Sequence, residues 1–247
     1  LVPAVNSVTV SITVLSDSLV ASPELRCASV LSNGDVELTW STPANAGNTF
    51  NSYHLYHSGS ANGPFTLLDS LFNINTTSYT HFSANANNAP HYYYISTRSG
   101  CNGGVYNSAP DTVATIFPVI NNPGNGVADL SWNALATPLP ASTLNGYYRI
   151  YRMLPGENWV LIDSTQSLFY HDTISICNEI IFYRIEIEDN SGCISVSAIT
   201  GDIILSDNVV ADFTSLFITS FSYGFSNNSD NALYYYWDYG DGASSTF

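Results

Sequence analysis

The segment Val36-Glu37-Leu38-Thr39-Trp40 is the most informative stretch of the sequence, because its apolar residues alternate with polar ones and it ends on a tryptophan. The pattern returns about 92 residues later as Ala128-Asp129-Leu130-Ser131-Trp132. An alternation of period two is typical of a half-buried strand. Further segments match in the same order: Tyr53-His54-Leu55-Tyr56 with Tyr148-Arg149-Ile150-Tyr151, Leu67-Leu68-Asp69-Ser70 with Leu161-Ile162-Asp163-Ser164, Tyr79 with Tyr170, and Tyr92-Tyr93-Tyr94 with Tyr183-Arg184-Ile185. A repeat of this length is a whole domain rather than a solenoid unit.

The remaining sequence favours the same class of structure. Short alternating runs are separated by turn signals such as Asn33-Gly34 and Asn62-Gly63-Pro64. No long segment places apolar residues at helical spacing. The chain is therefore predicted to be all-β, with short strands at the intervals of a β-sandwich.

Shifts in pattern divide the chain into four parts. Residues 1–22 hold one strand and a linker and are predicted to end a preceding domain, since a single strand cannot fold alone. The first repeat occupies residues 23–117 and the second occupies residues 118–206. A different aromatic-rich pattern fills residues 207–247, and we expect it to form only part of a further sandwich.

Composition excludes several classes of function. The net charge is −15, and five arginines are the only strongly basic residues. A nucleic-acid-binding protein needs a basic stripe, and binding to an anionic membrane is disfavoured for the same reason. The four cysteines fit no C-x-x-C metal pattern, and their even number favours disulfides in an oxidising compartment over free buried thiols.

The ordered motifs of both repeats resemble the fibronectin type III domain, an immunoglobulin-like β-sandwich. The resemblance implies that Trp40 and Trp132 lie between the two sheets. Tyr56 and Tyr151 are expected to fill the cores as well. Tyr92 and Tyr183, also expected to be core residues, match the tyrosine of the sixth strand, whose hydroxyl hydrogen-bonds back to the chain in that family.

The segment Trp237-Asp238-Tyr239-Gly240-Asp241-Gly242 resembles the signature of a PKD domain, which makes Trp237 a core residue of a partial PKD-like sandwich. The residue pattern of the whole chain, including the residues around Cys27, Cys101 and Cys193, is similar to the sequences of large Bacteroidetes surface proteins. Those proteins are gliding-motility-associated and are exported by the type IX secretion system.

The family resemblance also implies two disulfides. In the fibronectin type III fold the first strand begins near the loop between strands six and seven, which favours a bond between Cys27 and Cys101. The remaining pair, Cys177 and Cys193, would lie at opposite ends of strand six, so a bond between them requires an unusual loop.

Asp-Ser/Thr-apolar tripeptides resemble the O-glycan acceptor pattern of Bacteroidetes. They make four hydroxyl side chains candidate glycan sites, namely Ser18, Ser70, Thr112 and Thr173. The alternative is that the two repeats merely copy a strand-edge pattern.

The candidates for chemistry favour structural roles. His54 and His57 point to opposite faces of one strand, and His81, His91 and His171 are each predicted to stand alone. The carboxylates Glu186 and Glu188 are expected on a solvated strand face, where the arginines at 149, 152 and 184 pair with one of them. Asp238 and Asp241 lack the spacing of a calcium-binding EF-hand loop. The resemblance to a PKD domain implies that they hydrogen-bond the backbone of a turn, with Ca²⁺ as the alternative.

These observations predict a non-enzymatic protein without a cofactor. The predicted function is that of a structural and adhesive spacer in a secreted or cell-surface multidomain protein. Its partners would be neighbouring domains of the same chain and other surface or matrix proteins or glycans, with no nucleic acid and no membrane insertion. Two alternatives are an accessory spacer of a secreted polysaccharide- or protein-degrading enzyme, and a binding module that uses the loops at 44–51 and 100–106.

Overall fold

The computed structural model describes residues 19–100, 105–106, 112–124, 126–174, 179–204, 211–220, 222–229 and 235–246. Every regular element in these residues is a β-strand, which confirms the all-β prediction. The chain divides into two compact units. Unit 1 takes its described residues from 1–116, 134–146 and 187–196, and unit 2 takes its own from 117–133, 147–186 and 197–247.

The first repeat forms two antiparallel sheets with the strand order of an immunoglobulin-like sandwich. One sheet has the order β1-β2-β5, and the other has the order β4-β3-β6-β7 with β8 also paired to β6. The strands are β1 (Leu25–Val30), β2 (Val36–Trp40), β3 (Phe50–Ser58), β4 (Thr66–Leu71), β5 (Ser78–His81), β6 (Tyr92–Ser99), β7 (Val105–Tyr106) and β8 (Val113–Ala114).

The β1–β2 hairpin shows how local sequence fixes this register. Gly34 has a φ of +84°, which a residue with a side chain adopts only under strain. A Cβ atom at Gly34 would also lie 3.2 Å from the Asn87 side chain. The tight turn sets Val30 opposite Val36 and so directs Val36, Leu38 and Trp40 to the same buried face.

The core of the first repeat lies between the sheets. Trp40 is 3% exposed, and its ring meets that of Tyr53 edge-on with 5.8 Å between centroids. Tyr53, Leu55, Tyr93 and Ile95 complete this side of the core. The prediction that Tyr56 and Tyr92 fill the core is wrong, since both are only half-buried.

Tyr56 and Tyr92 lie outside the core because successive side chains of a strand point to opposite faces of the sheet. Because Tyr53 and Leu55 point inward on β3, Tyr56 must point to the outer face, where it stacks on Tyr94 at 4.6 Å. On β6 the inward positions are Tyr93 and Ile95, one residue away from the predicted Tyr92.

The second repeat follows the same plan. Its sheets have the orders β13-β10-β9 and β12-β11-β14-β15, with β16 also paired to β14. The strands are β9 (Pro118–Asn121), β10 (Val127–Trp132), β11 (Thr143–Met153), β12 (Val160–Thr165), β13 (Phe169–Thr173), β14 (Ile180–Asp189), β15 (Ile194–Val196) and β16 (Thr200–Ile203).

The core of the second repeat reproduces the first. Trp132 is 6% exposed and meets Tyr148 edge-on, again with 5.8 Å between ring centroids. Tyr183 is fully buried, whereas the predicted core residue Tyr151 is only half-buried. Tyr151 faces outward because Tyr148 and Ile150 take the inward positions of β11.

The C-terminal segment forms two hairpins. The first joins β17 (Phe213–Thr219) to β18 (Ser222–Asn227), and the second joins β19 (Tyr236–Asp238) to β20 (Ser244–Thr246). Trp237, predicted as a core residue, is half-buried here among aromatic rings.

The turn between β19 and β20 holds the two candidate calcium ligands. Asp238 accepts a hydrogen bond from the amide of Gly240 at 2.9 Å, and Asp241 accepts one from the amide of Ala243 at 2.8 Å. Both aspartates thus have the backbone-bonding role that the resemblance implies.

Candidate functional site

Strand β1 is fastened to the segment 187–196 by a disulfide. Cys27 and Cys193 are bonded across a sequence separation of 166 residues, with 6.2 Å between their Cα atoms. The predicted pairs Cys27–Cys101 and Cys177–Cys193 are therefore wrong. They assumed that each bond closes within one repeat, but β1 lies beside β15, which brings Cys193 to Cys27. Cys101 and Cys177 lie outside the described residues.

Polar contacts surround this disulfide. The Arg26 Nε lies 2.5 Å from an Asp189 carboxylate oxygen, and the same guanidinium donates to the Asn190 side chain at 2.7 Å. The Ser29 hydroxyl donates to the carbonyl of Ile194 at 2.7 Å. We call the disulfide and these contacts the β1 tether.

Asp189 organises the far side of the β1 tether. Its side chain accepts hydrogen bonds from the amide and hydroxyl of Ser191 and from the amide of Cys193, at 2.7–2.9 Å. Burial by itself raises the pKa of Asp189, but these hydrogen bonds and the Arg26 charge outweigh it and hold the pKa below its usual value. The carboxylate therefore stays ionised and keeps the loop closed around Cys193.

Three histidines meet at one end of the first sandwich. The His57 Nε2 and the His91 Nδ1 share a hydrogen bond of 2.8 Å, and the His81 Nδ1 lies 2.9 Å from the Tyr93 hydroxyl oxygen. The ring of His57 lies 4.9 Å from that of His81 and 5.0 Å from that of His91. We call His57, His81 and His91 the histidine cluster; the prediction that His81 and His91 stand alone is wrong.

The environment keeps the histidine cluster neutral. Burial, together with the charges of His81 and His91, lowers the pKa of His57 to about 4. Burial and the charge of His91 also lower the pKa of His81, against an opposing effect of Asp35. Burial lowers the pKa of His91 as well.

His54 lies on the other face of β3, as its spacing from His57 predicts. Its two ring nitrogens face the hydroxyls of Ser52 and Ser70 at 3.0 and 3.2 Å. His54 is only 8% exposed, so these serine–histidine contacts are buried.

The second repeat carries an ionic network where the first carries the histidine cluster. Arg152 donates to both carboxylate oxygens of Asp172 at 2.9 and 3.0 Å, and the Tyr183 hydroxyl donates to Asp172 at 2.8 Å. The predicted partners of Arg152, Glu186 and Glu188, are therefore wrong. Arg152 lies on β11, and it contacts Asp172 on β13, a strand of the other sheet.

The other two arginines do contact Glu186, as predicted. Arg184 lies 2.8 Å and Arg149 lies 3.6 Å from its carboxylate oxygens. Arg184 also stacks over the rings of Tyr151 and Trp159, at 5.1 and 4.8 Å from their centroids. Glu186 is 7% exposed, so this strand face is not the solvated one that was expected.

An aromatic groove of about 440 Å³ lies between the two C-terminal hairpins. Phe213, Phe225, Trp237 and Tyr239 line it with their rings 5.6–6.4 Å apart. Phe213 and Phe225 are about half exposed, at 57% and 46%, so the groove is an open apolar surface.

The structure places three of the four candidate glycan sites. Thr173 is exposed on β13, whereas Ser70 and Thr112 are half-buried. Ser18 lies outside the described residues. Over the same described part of the chain, no group of three or more histidine, cysteine or acidic side chains is arranged to hold a metal ion. No helix with the length and apolar character needed to cross a bilayer occurs there either.

No protein-family model matches the chain, and neither does any curated protein sequence. Solved structures do match it. A fibronectin type III-like protein from Clostridium thermocellum is 27% identical over 42% of this chain and 100% of its own, with a TM-score of 0.32. A two-domain fibronectin type III segment of chicken tenascin is 13% identical over 75% of this chain and 98% of its own, with a TM-score of 0.28.

A third solved structure, the FN1–FN3 domains of chicken CNTN1, is 12% identical over 75% of this chain and 66% of its own, with a TM-score of 0.31. Because these TM-scores are below 0.5, the similarities carry no argument about function. The immunoglobulin-like architecture stands on the strand orders and registers of the chain itself.

Proposed function

We propose that this chain is a non-catalytic structural and adhesive spacer segment of a large multidomain protein on the cell surface. The observation that carries the proposal is the β1 tether. The Cys27–Cys193 bond closes a covalent loop that contains most of both repeats. Such a bond persists in oxidising, extracytoplasmic surroundings and is rare in the cytosol.

The β1 tether suits a spacer because a force that pulls on the two ends of the chain is carried by the Cys27–Cys193 bond. When the ends of the chain are drawn apart, tension enters at Cys27, crosses the disulfide and leaves at Cys193. The strands between these cysteines are then bypassed, and they cannot add length by unfolding. A spacer built in this way keeps its length while its enclosed sandwiches remain free to contact partners.

The finer context follows the sequence resemblances. We propose that the parent protein is of the Bacteroidetes gliding-motility-associated type, exported by the type IX system, and that residues 207–247 belong to a PKD-like domain. Its partners would be neighbouring domains of the same chain and surface or matrix proteins or glycans. The proposal requires no cofactor.

Thr173 is the best-placed of the proposed O-glycan acceptors, because its side chain is exposed on β13. Ser70 is less accessible, since its hydroxyl lies 3.2 Å from the His54 ring. A glycan at Thr173 would add bulk and solubility to the surface. The intact mass of the native protein tests this: a mass equal to that of the bare polypeptide rejects glycosylation.

The function is tested in the source cells with the complete parent protein. We expect antibodies against this segment to label intact cells, and we expect a Cys27→Ala/Cys193→Ala parent to weaken adhesion under flow relative to the unaltered protein. A segment found only inside cells would overturn the proposal. If adhesion is unchanged while the parent degrades polysaccharide or protein, the chain is instead the accessory spacer of an enzyme.

A further inference from the structure

We propose that the histidine cluster is an acid-sensitive latch that loosens the first sandwich, and not the second, when the pH falls below neutral. The cluster joins elements from both sheets: His57 lies on β3, His81 lies on β5, and His91 directly precedes β6. The contacts among the three histidines therefore help to hold the two sheets together at this end of the sandwich.

The contact between His57 and His91 can form only while at least one of the two rings is neutral. An imidazole nitrogen can accept a hydrogen bond only when it carries no proton. The 2.8 Å bond between the His57 Nε2 and the His91 Nδ1 therefore requires at least one of these nitrogens to be unprotonated. When both rings are fully protonated, two N–H donors face each other and the contact becomes repulsive.

The surrounding charges do little to offset that repulsion. The groups that face the cluster are the Tyr93 hydroxyl on β6 and the Asp35 carboxylate in the β1–β2 turn, and the Tyr79 phenol on β5 acts on Tyr93. Asp35 favours protonated His81, but its oxygens already accept hydrogen bonds from the Ser83 amide and the Asn33 side chain. The Asp35 carboxylate, which already accepts two hydrogen bonds, is thus the one negative charge named here that can offset the repulsion among three protonated imidazoles.

The second repeat carries different side chains at the matching positions. Ala128 pairs with Asp172 in the register in which Val36 pairs with His81, so Asp172 occupies the place of His81. Arg152 follows Tyr148 by the four positions that separate His57 from Tyr53. Here an arginine–aspartate ion pair, 2.9–3.0 Å long, lies where the first repeat has two imidazoles.

The buried tyrosine hydroxyl is the shared element of the two arrangements. Tyr93 contacts His81 in the first repeat, and Tyr183 contacts Asp172 in the second. Two residues before these tyrosines stand His91 and Ile181 respectively. The same framework therefore carries an ionisable cluster in one copy and a fixed ion pair beside an apolar residue in the other.

The direction of the pH effect follows from proton linkage. Because the folded state holds the pKa of His57 near 4, below its ordinary value of 6.5, the unfolded state binds the proton first as the pH falls. The stabilisation is present above about pH 6.5 and is lost between there and about pH 4. His57 by itself would raise the opening equilibrium about 20-fold between pH 7 and pH 5, and solvent screening at this partly exposed ring reduces that to roughly 10-fold.

The test compares amide hydrogen exchange of the full chain at pH 7 and pH 5, after correction for intrinsic exchange rates. We expect amides of β3, β5 and β6 to lose protection about 10-fold, while those of β11, β13 and β14 lose little. A His57→Arg/His81→Asp/His91→Ile variant installs the arrangement of the second repeat and should abolish the loss. His171→Asn, at a largely exposed imidazole paired with Asp129, is the control and should behave as the unaltered chain does.

Equal protection of the first sandwich at the two pH values would overturn the proposal. So would a loss of protection that persists in a folded triple variant. If that variant does not fold, an NMR titration of the unaltered chain decides: imidazole pKa values at or above 6.5 for all three histidines refute the latch, and values well below 6.5 support it.

Discussion

Reduction of the Cys27–Cys193 bond should release a defined length of hidden chain under force. The bond spans a sequence separation of 166 residues. Since an extended residue spans about 3.3–3.6 Å, the hidden length is about 550–600 Å. With the bond intact, none of that length can appear when the ends of the protein are pulled apart.

The assay is single-molecule stretching of the whole chain through handles at its two ends, with and without a reductant. We expect the total contour length to increase by the hidden length on reduction. The Cys27→Ala/Cys193→Ala variant should show the longer contour without reductant, which separates this bond from any other disulfide. Loop-closure entropy adds an equilibrium counterpart, because removing a cross-link over a loop of this size costs up to about 5 kcal/mol of stability.

Two outcomes would refute this reasoning. Equal contour lengths in the oxidised and reduced protein would show that the bond does not bypass the repeats. Peptide mapping under non-reducing conditions that found Cys27 free, or joined to a cysteine other than Cys193, would remove its basis.

The remaining predictions concern the two cores and the ionic network. Trp40→Ala and Trp132→Ala should each destabilise the protein by about 3–5 kcal/mol, because both indoles are buried against a tyrosine; a thermal unfolding midpoint that barely moves in either variant would contradict the core assignment. Asp172→Ala should cost roughly 2–3 kcal/mol in chemical denaturation, since it leaves Arg152 without its carboxylate in a site that is only partly solvated. Asp129→Ala, which removes the partner of an exposed histidine, is its control and should cost less than about 1 kcal/mol.

The two tryptophan-ended strands were predictable because alternation and repetition are local properties of the sequence. A strand whose apolar residues alternate has only one face that can be buried, so Trp40 and Trp132 had to point into a core. The same rule, applied strictly from Tyr53 and Tyr148, places Tyr56 and Tyr151 outside. The aromatic character of these residues suggested burial, but the strand period decided it.

The histidine cluster was missed because its members are far apart in the sequence. A signal did exist in the repeat alignment: the positions of His57 and His81 carry Arg152 and Asp172 in the second copy. Opposite charges at two matched positions indicate proximity. Reading that pair back onto the first repeat would have placed the two imidazoles together.

The all-β class, the two matched sandwiches and the turn roles of Asp238 and Asp241 could be predicted from sequence, because periodicity and turn chemistry act over a few neighbouring residues. The Cys27–Cys193 bond, the Arg152–Asp172 ion pair and the histidine cluster could be seen only in the folded chain. Each of these contacts joins elements whose proximity depends on how strands and loops pack. Packing is set by the whole chain, and no short stretch of sequence records it.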